Sequence, residues 1–148
     1  MGLQKIYYVD SCIWLNLFKK EGDAIRGTPY WKLAEDFIEK IIFSENEIVY
    51  SGFVLKEIRH DLSNEELFKE KHTFLEEEPK FSFVKTTPED YAFGRKLEAE
   101  FNFEISFFDC MHIAICKRWG YILVSRDNLL IKYAKKYIAV NKPENLFY

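Results

Sequence analysis

At 148 residues, with 48% apolar and 30% charged side chains, the chain has the size of one ordinary domain and enough apolar material to offset the entropy of ordering it. Six glycines and four prolines exclude collagen-like, low-complexity and linker-dominated chains. The net charge of −3 argues against a simple nucleic-acid clamp, but the charge is uneven: residues 1–110 hold 14 Lys and Arg against 22 Asp and Glu, whereas residues 111–142 hold seven basic residues against Asp127 alone.

The first apolar run, Ile6 to Leu15, is broken by Asp10 and followed by Lys19 and Lys20, so it does not read as an export signal. No stretch approaches the ~20 apolar residues of a membrane span. Three cysteines (Cys12, Cys110, Cys116) are an odd number with no CxxC pair, which disfavours a disulfide scaffold and points to a reducing cytoplasm.

In chain order, Lys5–Val9 reads as a strand and Ser11–Lys19 as a helix. Tyr30–Phe43 follows as a helix with Leu33, Phe37 and Ile41 at i, i+4 spacing. Glu47–Tyr50 is a second strand, followed by helices over Phe53–Leu62 and Glu65–Glu77. Phe81–Lys85 is a third strand. Thr87-Pro88-Glu89-Asp90 starts a helix that runs to about Phe101, with Thr as cap and Pro in the first turn. Ser106–Trp119 is an apolar helix stopped at Gly120. A strand at Tyr121–Val124, a helix over Asn128–Lys136 and a weaker strand at Tyr137–Val140 complete the chain. Short apolar strands alternating with helices predict one α/β domain over residues 1–148: three layers, with a central, mostly parallel sheet of about five strands flanked by helices. In such sheets ligands bind beyond the carboxyl ends of the strands.

Acidic residues stand at those ends. Asp10 follows the first strand and Asp127 the fourth; each also suits a helix N-cap. Asp109 lies in a helix that is apolar on nearly every side, where an unpartnered carboxylate costs several kcal/mol; Ser106 and Asp109 also fit a capping box. Glu57 borders the buried stripe of Val54, Leu55, Ile58 and Leu62, with Lys56 and Arg59 as candidate partners. Four carboxylates on one edge require a cation, and an all-oxygen set selects Mg²⁺ or Mn²⁺ over Zn²⁺. Such a site without a nucleotide loop suits phosphodiester hydrolysis.

These segments together resemble a PIN-domain ribonuclease of the VapC-like toxin type. Tyr8-Val9-Asp10-Ser11 resembles the family's opening acidic motif, and Val54-Leu55-Lys56-Glu57-Ile58 its helix-borne glutamate. Phe108-Asp109-Cys110-Met111-His112-Ile113-Ala114 resembles the third acidic motif, and Val124-Ser125-Arg126-Asp127-Asn128-Leu129-Leu130 the closing one. The resemblance covers nearly the whole chain. It implies a metal-dependent endoribonuclease acting on single-stranded RNA, with Asp10, Glu57, Asp109 and Asp127 as catalytic and metal-holding residues and Ser11 and Ser125 in support. It also implies a cytoplasmic toxin paired with a small antitoxin protein, and a homodimer. Three features depart from the family pattern. Cys12 stands where Asn or Ser is common, which removes a hydrogen bond near the first Asp; Ser125 replaces Thr; and the stretch Lys20–Pro29 is somewhat long. From the basic segment, Arg126 is the first candidate for phosphate contact and Lys117 or Arg118 the next.

Other readings remain open at this level. Asp109, His112 and Cys116 share one helical face and could hold zinc, although His112 and Cys116 also fit a packed interior. An aspartate-based phosphatase or phospho-receiver also uses an Asp after its first strand with Mg²⁺. A PIN-fold RNA-processing or binding module without a toxin role is the third. No Walker loop, dinucleotide-binding glycines, GxSxG or HExxH is present.

Overall fold

The computed structural model describes residues 4–22, 27 and 29–146. Half of the stretch Lys20–Pro29 therefore lies outside the described residues. Strand β1 (Ile6–Val9) leads into α1 (Ser11–Phe18), then α2 (Tyr30–Ile42) and β2 (Glu47–Tyr50). Helices α3 (Gly52–Leu62) and α4 (Glu65–Glu77) precede β3 (Phe81–Phe83), and α5 (Pro88–Glu100) and α6 (Phe107–Trp119) precede β4 (Ile122–Val124). Helix α7 (Asn128–Ala134), β5 (Val140–Asn141) and a 3₁₀ turn at Pro143–Asn145 close the described chain. Among the described residues no helix is long and apolar enough to cross a membrane.

All strand pairs are parallel, and the order is β3-β2-β1-β4-β5. The helices cover both faces in the expected three-layer arrangement. Strands shielded on both sides read as unbroken apolar runs, and Tyr7, Tyr8 and Val9 of β1 are all buried, as are Ile48 to Tyr50 of β2. The chain leaves β1 toward β2 in one direction and reaches β4 in the other, so the topological switch lies between β1 and β4. That is where an open α/β sheet binds its ligand. The fifth strand starts later than the sequence suggests. Tyr137 and Ile138 donate their backbone N–H groups to the Ala134 carbonyl (2.9 and 3.0 Å), ending α7 rather than joining the ladder.

Helix α6 is the inner helix, with every residue from Cys110 to Cys116 buried. Its partner α5 approaches closely because Gly94 has no side chain: a Cβ there would stand 2.4 Å from the Met111 sulfur. At its far end α6 stops at Gly120 (φ +74°), whose N–H closes on the Cys116 carbonyl at 2.8 Å. A two-pronged ion pair locks that end to the start of α5. Arg118 Nε and Nη2 donate to Asp90 Oδ1 and Oδ2 at 2.7 and 2.9 Å, and Nη2 also reaches the Lys85 carbonyl at 3.2 Å. Asp90 completes a capping box with Thr87 and is 2% exposed.

Burial alone would raise the Asp90 carboxyl pKa, but Arg118 and the Thr87 N–H hold it below the ordinary value. The stability this contributes is present above the unfolded carboxylate pKa and is lost as pH falls through the lowered folded one. Arg118→Ala should cost about 2–3 kcal/mol in urea unfolding at pH 7, below the range for a fully buried pair because the Arg118 side chain is 26% exposed. The gap between wild type and variant should narrow as pH falls through the lowered Asp90 pKa; a constant gap would mean that the arginine acts by packing rather than by charge.

Candidate active site

Asp10 stands where β1 ends, and its N–H donates to the Val124 carbonyl at 2.9 Å, tying it to the end of β4. It occupies the N-cap position of α1, yet its carboxylate caps nothing. Oδ2 instead accepts from the Ser125 hydroxyl at 2.8 Å and the Cys12 thiol at 3.2 Å, and the Ser11 hydroxyl lies 3.4 Å from Oδ1. The hydrogen bond expected to be missing at Cys12 is thus present, from a weaker donor. Asp10 is 4% exposed. Burial raises its pKa, His112 lowers it and Glu57 raises it, and the net effect is upward.

Glu57 takes neither Lys56 nor Arg59 as its partner. Arg59 pairs with Glu65, and the Lys56 ammonium lies over the Phe53 ring. The partner of Glu57 is His112: Nε2 is 2.7 Å from Glu57 Oε1 and 3.7 Å from Asp10 Oδ1. On the other side of the ring Nδ1 meets the Tyr8 hydroxyl at 2.6 Å, and that hydroxyl meets Ser51 Oγ, also at 2.6 Å. Burial pulls the imidazole pKa down, but the Glu57 hydrogen bond and the charges of Asp10, Glu57 and Asp109 outweigh it, and the net shift is upward. In the sequence His112 fits either a packed interior or a zinc ligand. The i, i+3 spacing from Asp109 is the one signal that would have placed it beside the acids.

Asp109 sits in the first turn of α6. The Ser106 hydroxyl accepts its N–H at 3.1 Å, but its carboxylate makes no return bond among the described residues, so only half of the capping box forms. Its carboxyl pKa is pushed up to about 6 by burial and by Asp10, Glu57 and Asp127, against a lowering by His112. Asp127, by contrast, does cap: Oδ1 accepts from the N–H groups of Leu129 and Leu130 at 3.0 and 3.2 Å. It is exposed, and it still contributes to the field on Asp109. Ser125 serves both aspartates, donating to Asp10 and accepting the Asp127 N–H at 3.1 Å. All four acids therefore share one edge. Three of them surround His112, and Asp127 is coupled to them through Asp109.

The basic residues are placed differently. Arg126 is bound bidentately by Glu144 at 2.8 and 2.9 Å, reaches Asn16 Oδ1 at 3.4 Å and lies 4.2 Å over the Tyr30 ring. Lys117 and Arg118 are at the other end of α6, about 12 Å along its axis from Asp109. The structure does not bring them to the acids, and Arg118 is engaged with Asp90. Lys56 and His60 are nearer: with Glu57, Asp61 and Phe108 they line a hollow of about 340 Å³ beside the cluster. The zinc trio does not assemble. Among the described residues the donors that converge are those of Asp10, Glu57 and His112, all within 4.8 Å of one another.

Comparison with known proteins bears on the fold and the family. No curated protein matches the chain. Solved structures do, at low identity. FitAcB from Neisseria gonorrhoeae has a TM-score of 0.65 and 17% identity over 95% of this chain and 99% of that one. VapBC2 from Rickettsia felis, bound to a DNA fragment from its promoter, has a TM-score of 0.68 and 16% identity over 93% and 98%. VapC20 from Mycobacterium tuberculosis, a sarcin–ricin loop cleaving toxin, has a TM-score of 0.67 and 15% identity over 85% and 93%. At these identities the likeness shows the fold. The model of the PIN domain matches residues 7–136, which include all four acids and His112, and on that ground the chain belongs to the PIN-domain family.

Proposed function

We propose that this chain is a metal-dependent endoribonuclease that hydrolyses phosphodiester bonds of single-stranded RNA, with Mg²⁺ or Mn²⁺ held at the cluster of Asp10, Glu57, Asp109 and Asp127. The observation that carries this reading is the convergence of those carboxylates at the switch point of the sheet, where burial, with the neighbouring acids adding to it, lifts Asp109 to about 6. The donors fit a hard divalent ion, being mostly carboxylate oxygens that need compensation. Such an ion, when bound, supplies Lewis-acid activation of the scissile phosphate.

The protein's own groups do the positioning. Ser125 and Cys12 hold Asp10 Oδ2, and Oδ1 lies 3.4 Å from the Ser11 hydroxyl and 3.7 Å from His112 Nε2. His112 fixes Glu57. Asp127, held by its capping bonds, is the exposed acid at the rim. Phe108 and Lys56 in the adjoining hollow offer an aromatic face and a positive charge to the nucleotide next to the scissile bond. Arg126, with its charge already matched by Glu144, serves the scaffold better than the strand.

The toxin role is supported by one neighbour, the sarcin–ricin loop cleaving toxin VapC20. We assign this chain the same role in the cytoplasm, as a homodimer paired with a small antitoxin protein. A phospho-receiver is disfavoured by strand order, since receivers run 2-1-3-4-5 and this sheet runs β3-β2-β1-β4-β5.

Purified wild type should cut a labelled single-stranded RNA with Mg²⁺ or Mn²⁺ and not with EDTA. Asp10→Asn and Asp109→Asn should each lower the rate by at least about 100-fold while remaining folded. Cleavage that survives in both variants or in EDTA would sink the reading. The acids also set a pH dependence. Because the folded Asp109 pKa is raised, its carboxyl costs the metal-free fold nothing at low pH; the penalty grows as pH rises above the ordinary carboxylate value and is complete above about 6. Asp109→Asn should therefore stabilise the metal-free protein by about 1–2 kcal/mol at pH 7 and by almost nothing at about pH 4, read from urea unfolding. Mn²⁺ affinity should fall as pH drops below about 6, because proton and ion compete for the same carboxylate.

A further inference from the structure

Asp61 stands unpaired in the hollow beside the acids. At about 340 Å³ that hollow is at the small end of ligand pockets, with room for one base and its sugar. It is lined by Phe108, next in the chain to Asp109, and by Lys56, Glu57, His60 and Asp61 of α3. Glu57 and Asp61 form an i, i+4 row of the helix, so Asp61 lies about 6 Å along the axis from Glu57. That is the scale of the sugar that separates a phosphate from its base. Among the described residues the exposed Asp61 side chain makes no hydrogen bond or ion pair. Arg59 is held by Glu65, and the Lys56 ammonium lies 5.8 Å over the Phe53 ring. Two carboxylates outweigh the single lysine, so the hollow suits a phosphate poorly. It suits an uncharged group that brings donors for a carboxylate and a flat face for an aromatic ring. Phe108 is that ring: half-buried, it is set edge to face on buried Phe53, with centroids 4.8 Å apart and planes at 82°.

We propose that this hollow reads a guanine beside the scissile phosphate, with the base stacked on Phe108 and its Watson–Crick edge bound by Asp61. The inference rests on the endoribonuclease reading above and adds the base that the enzyme selects. A carboxylate only accepts, and it takes two parallel N–H bonds well. Guanine alone among the RNA bases carries two neighbouring donors on that edge, N1–H and the N2 amino group. Adenine and cytosine set an acceptor beside their amino group, and uracil flanks its single N–H with carbonyls, so each turns a lone pair toward Asp61. The guanine O6, next to N1–H, is an acceptor for the Lys56 ammonium. Single-stranded RNA leaves this edge free to be read and the base free to stack.

The test is to titrate the full chain, in Mg²⁺ buffer, with the 5′-monophosphates of guanosine, adenosine, cytidine and uridine, following binding by NMR shifts. The phosphate is common to all of them, so differences report the base. Wild type should favour guanosine monophosphate about tenfold or more. Asp61→Asn, which replaces one acceptor by a donor, should bring it to within about threefold of the others. Because Asp61 is exposed and unpaired, that variant should melt within about 2 °C of wild type. Phe108→Leu should weaken all the nucleotides by about fivefold without changing their order. On a mixed-sequence RNA, wild-type cuts should fall at one fixed position relative to guanine, and Asp61→Asn should scatter them. The inference is overturned if no monophosphate binds, if all bind equally, or if Asp61→Asn keeps the wild-type preference. A monophosphate has no diester bond to cut, so the titration reads the hollow apart from the chemistry. Equal affinities in a chain that cleaves RNA remove this inference alone, whereas guanine preference in a chain that cuts nothing supports the hollow and removes the nuclease reading.

Discussion

A carboxylate as buried as Asp10 must be protonated or held by donors and cations, and the rest of the edge is arranged around that need. Burial works against its charge, while Ser125, Cys12 and His112 work for it. Each of those groups is placed by a different element: Ser125 follows β4, Cys12 is in α1, and His112 is in α6. The parallel pairing of β1 with β4 brings the first two together, since Val9 is in register with Val124 and the next residues on both strands leave the sheet side by side. Moving either strand by one residue would reverse the facing of its side chains and break the bond from Ser125 to Asp10.

The same constraint explains why α6 is so apolar and so firmly fixed. It carries Asp109 at its open end and His112 one turn deeper, and a small shift along its axis would separate Nε2 from Glu57. Three devices oppose that shift. Gly94 lets α5 pack directly on Met111, Arg118 bolts the far end to Asp90, and Ser106 caps the near end. The loop before that cap turns sharply through two residues in left-handed conformation, Asn102 and Phe103, with φ of 54° and 59°. Asn is common in that region; Phe is not, and it carries the strain while its ring stays 70% exposed.

Strand order of appearance, helix limits and the edge on which the acids stand were legible in the sequence because they depend on local signals. Alternation of short apolar runs with helical periods, Thr87-Pro88 at a helix start and Gly120 at a helix stop are all read within a few residues. The partners were not legible. Glu57 had two basic neighbours in sequence and took neither, because His112, 55 residues away, reaches it from a buried helix while Arg59 finds Glu65 on the next one. Arg118 and Arg126 read as free phosphate contacts, yet each is matched by an acid distant in sequence, Asp90 or Glu144. Asp10 and Asp127 looked alike as caps, and only the second caps; the difference lies in what stands above each carboxylate, which no local pattern carries.

That failure has a physical direction. In a protein with net charge −3, a basic cluster in sequence is a poor guide to a basic patch in space, because the acids outnumber the bases and seek them out. Arg is the residue most readily taken up in this way, since its planar fork binds a carboxylate with two bonds and tolerates partial burial. Both arginines of the basic segment are spent so, and each joins elements that the site depends on. Arg118 secures the helix that bears Asp109 and His112. Arg126, directly after Ser125, ties the turn beside Asp10 to Asn16 of α1 and to the 3₁₀ turn at the end of the described chain. The lysines of the segment are more strongly hydrated and less suited to such pairs, and Lys56 beside Glu57 lines the hollow next to the cluster. Within the basic segment the two arginines hold the fold around the acids, while Lys117, Lys132, Lys135 and Lys136 stay exposed.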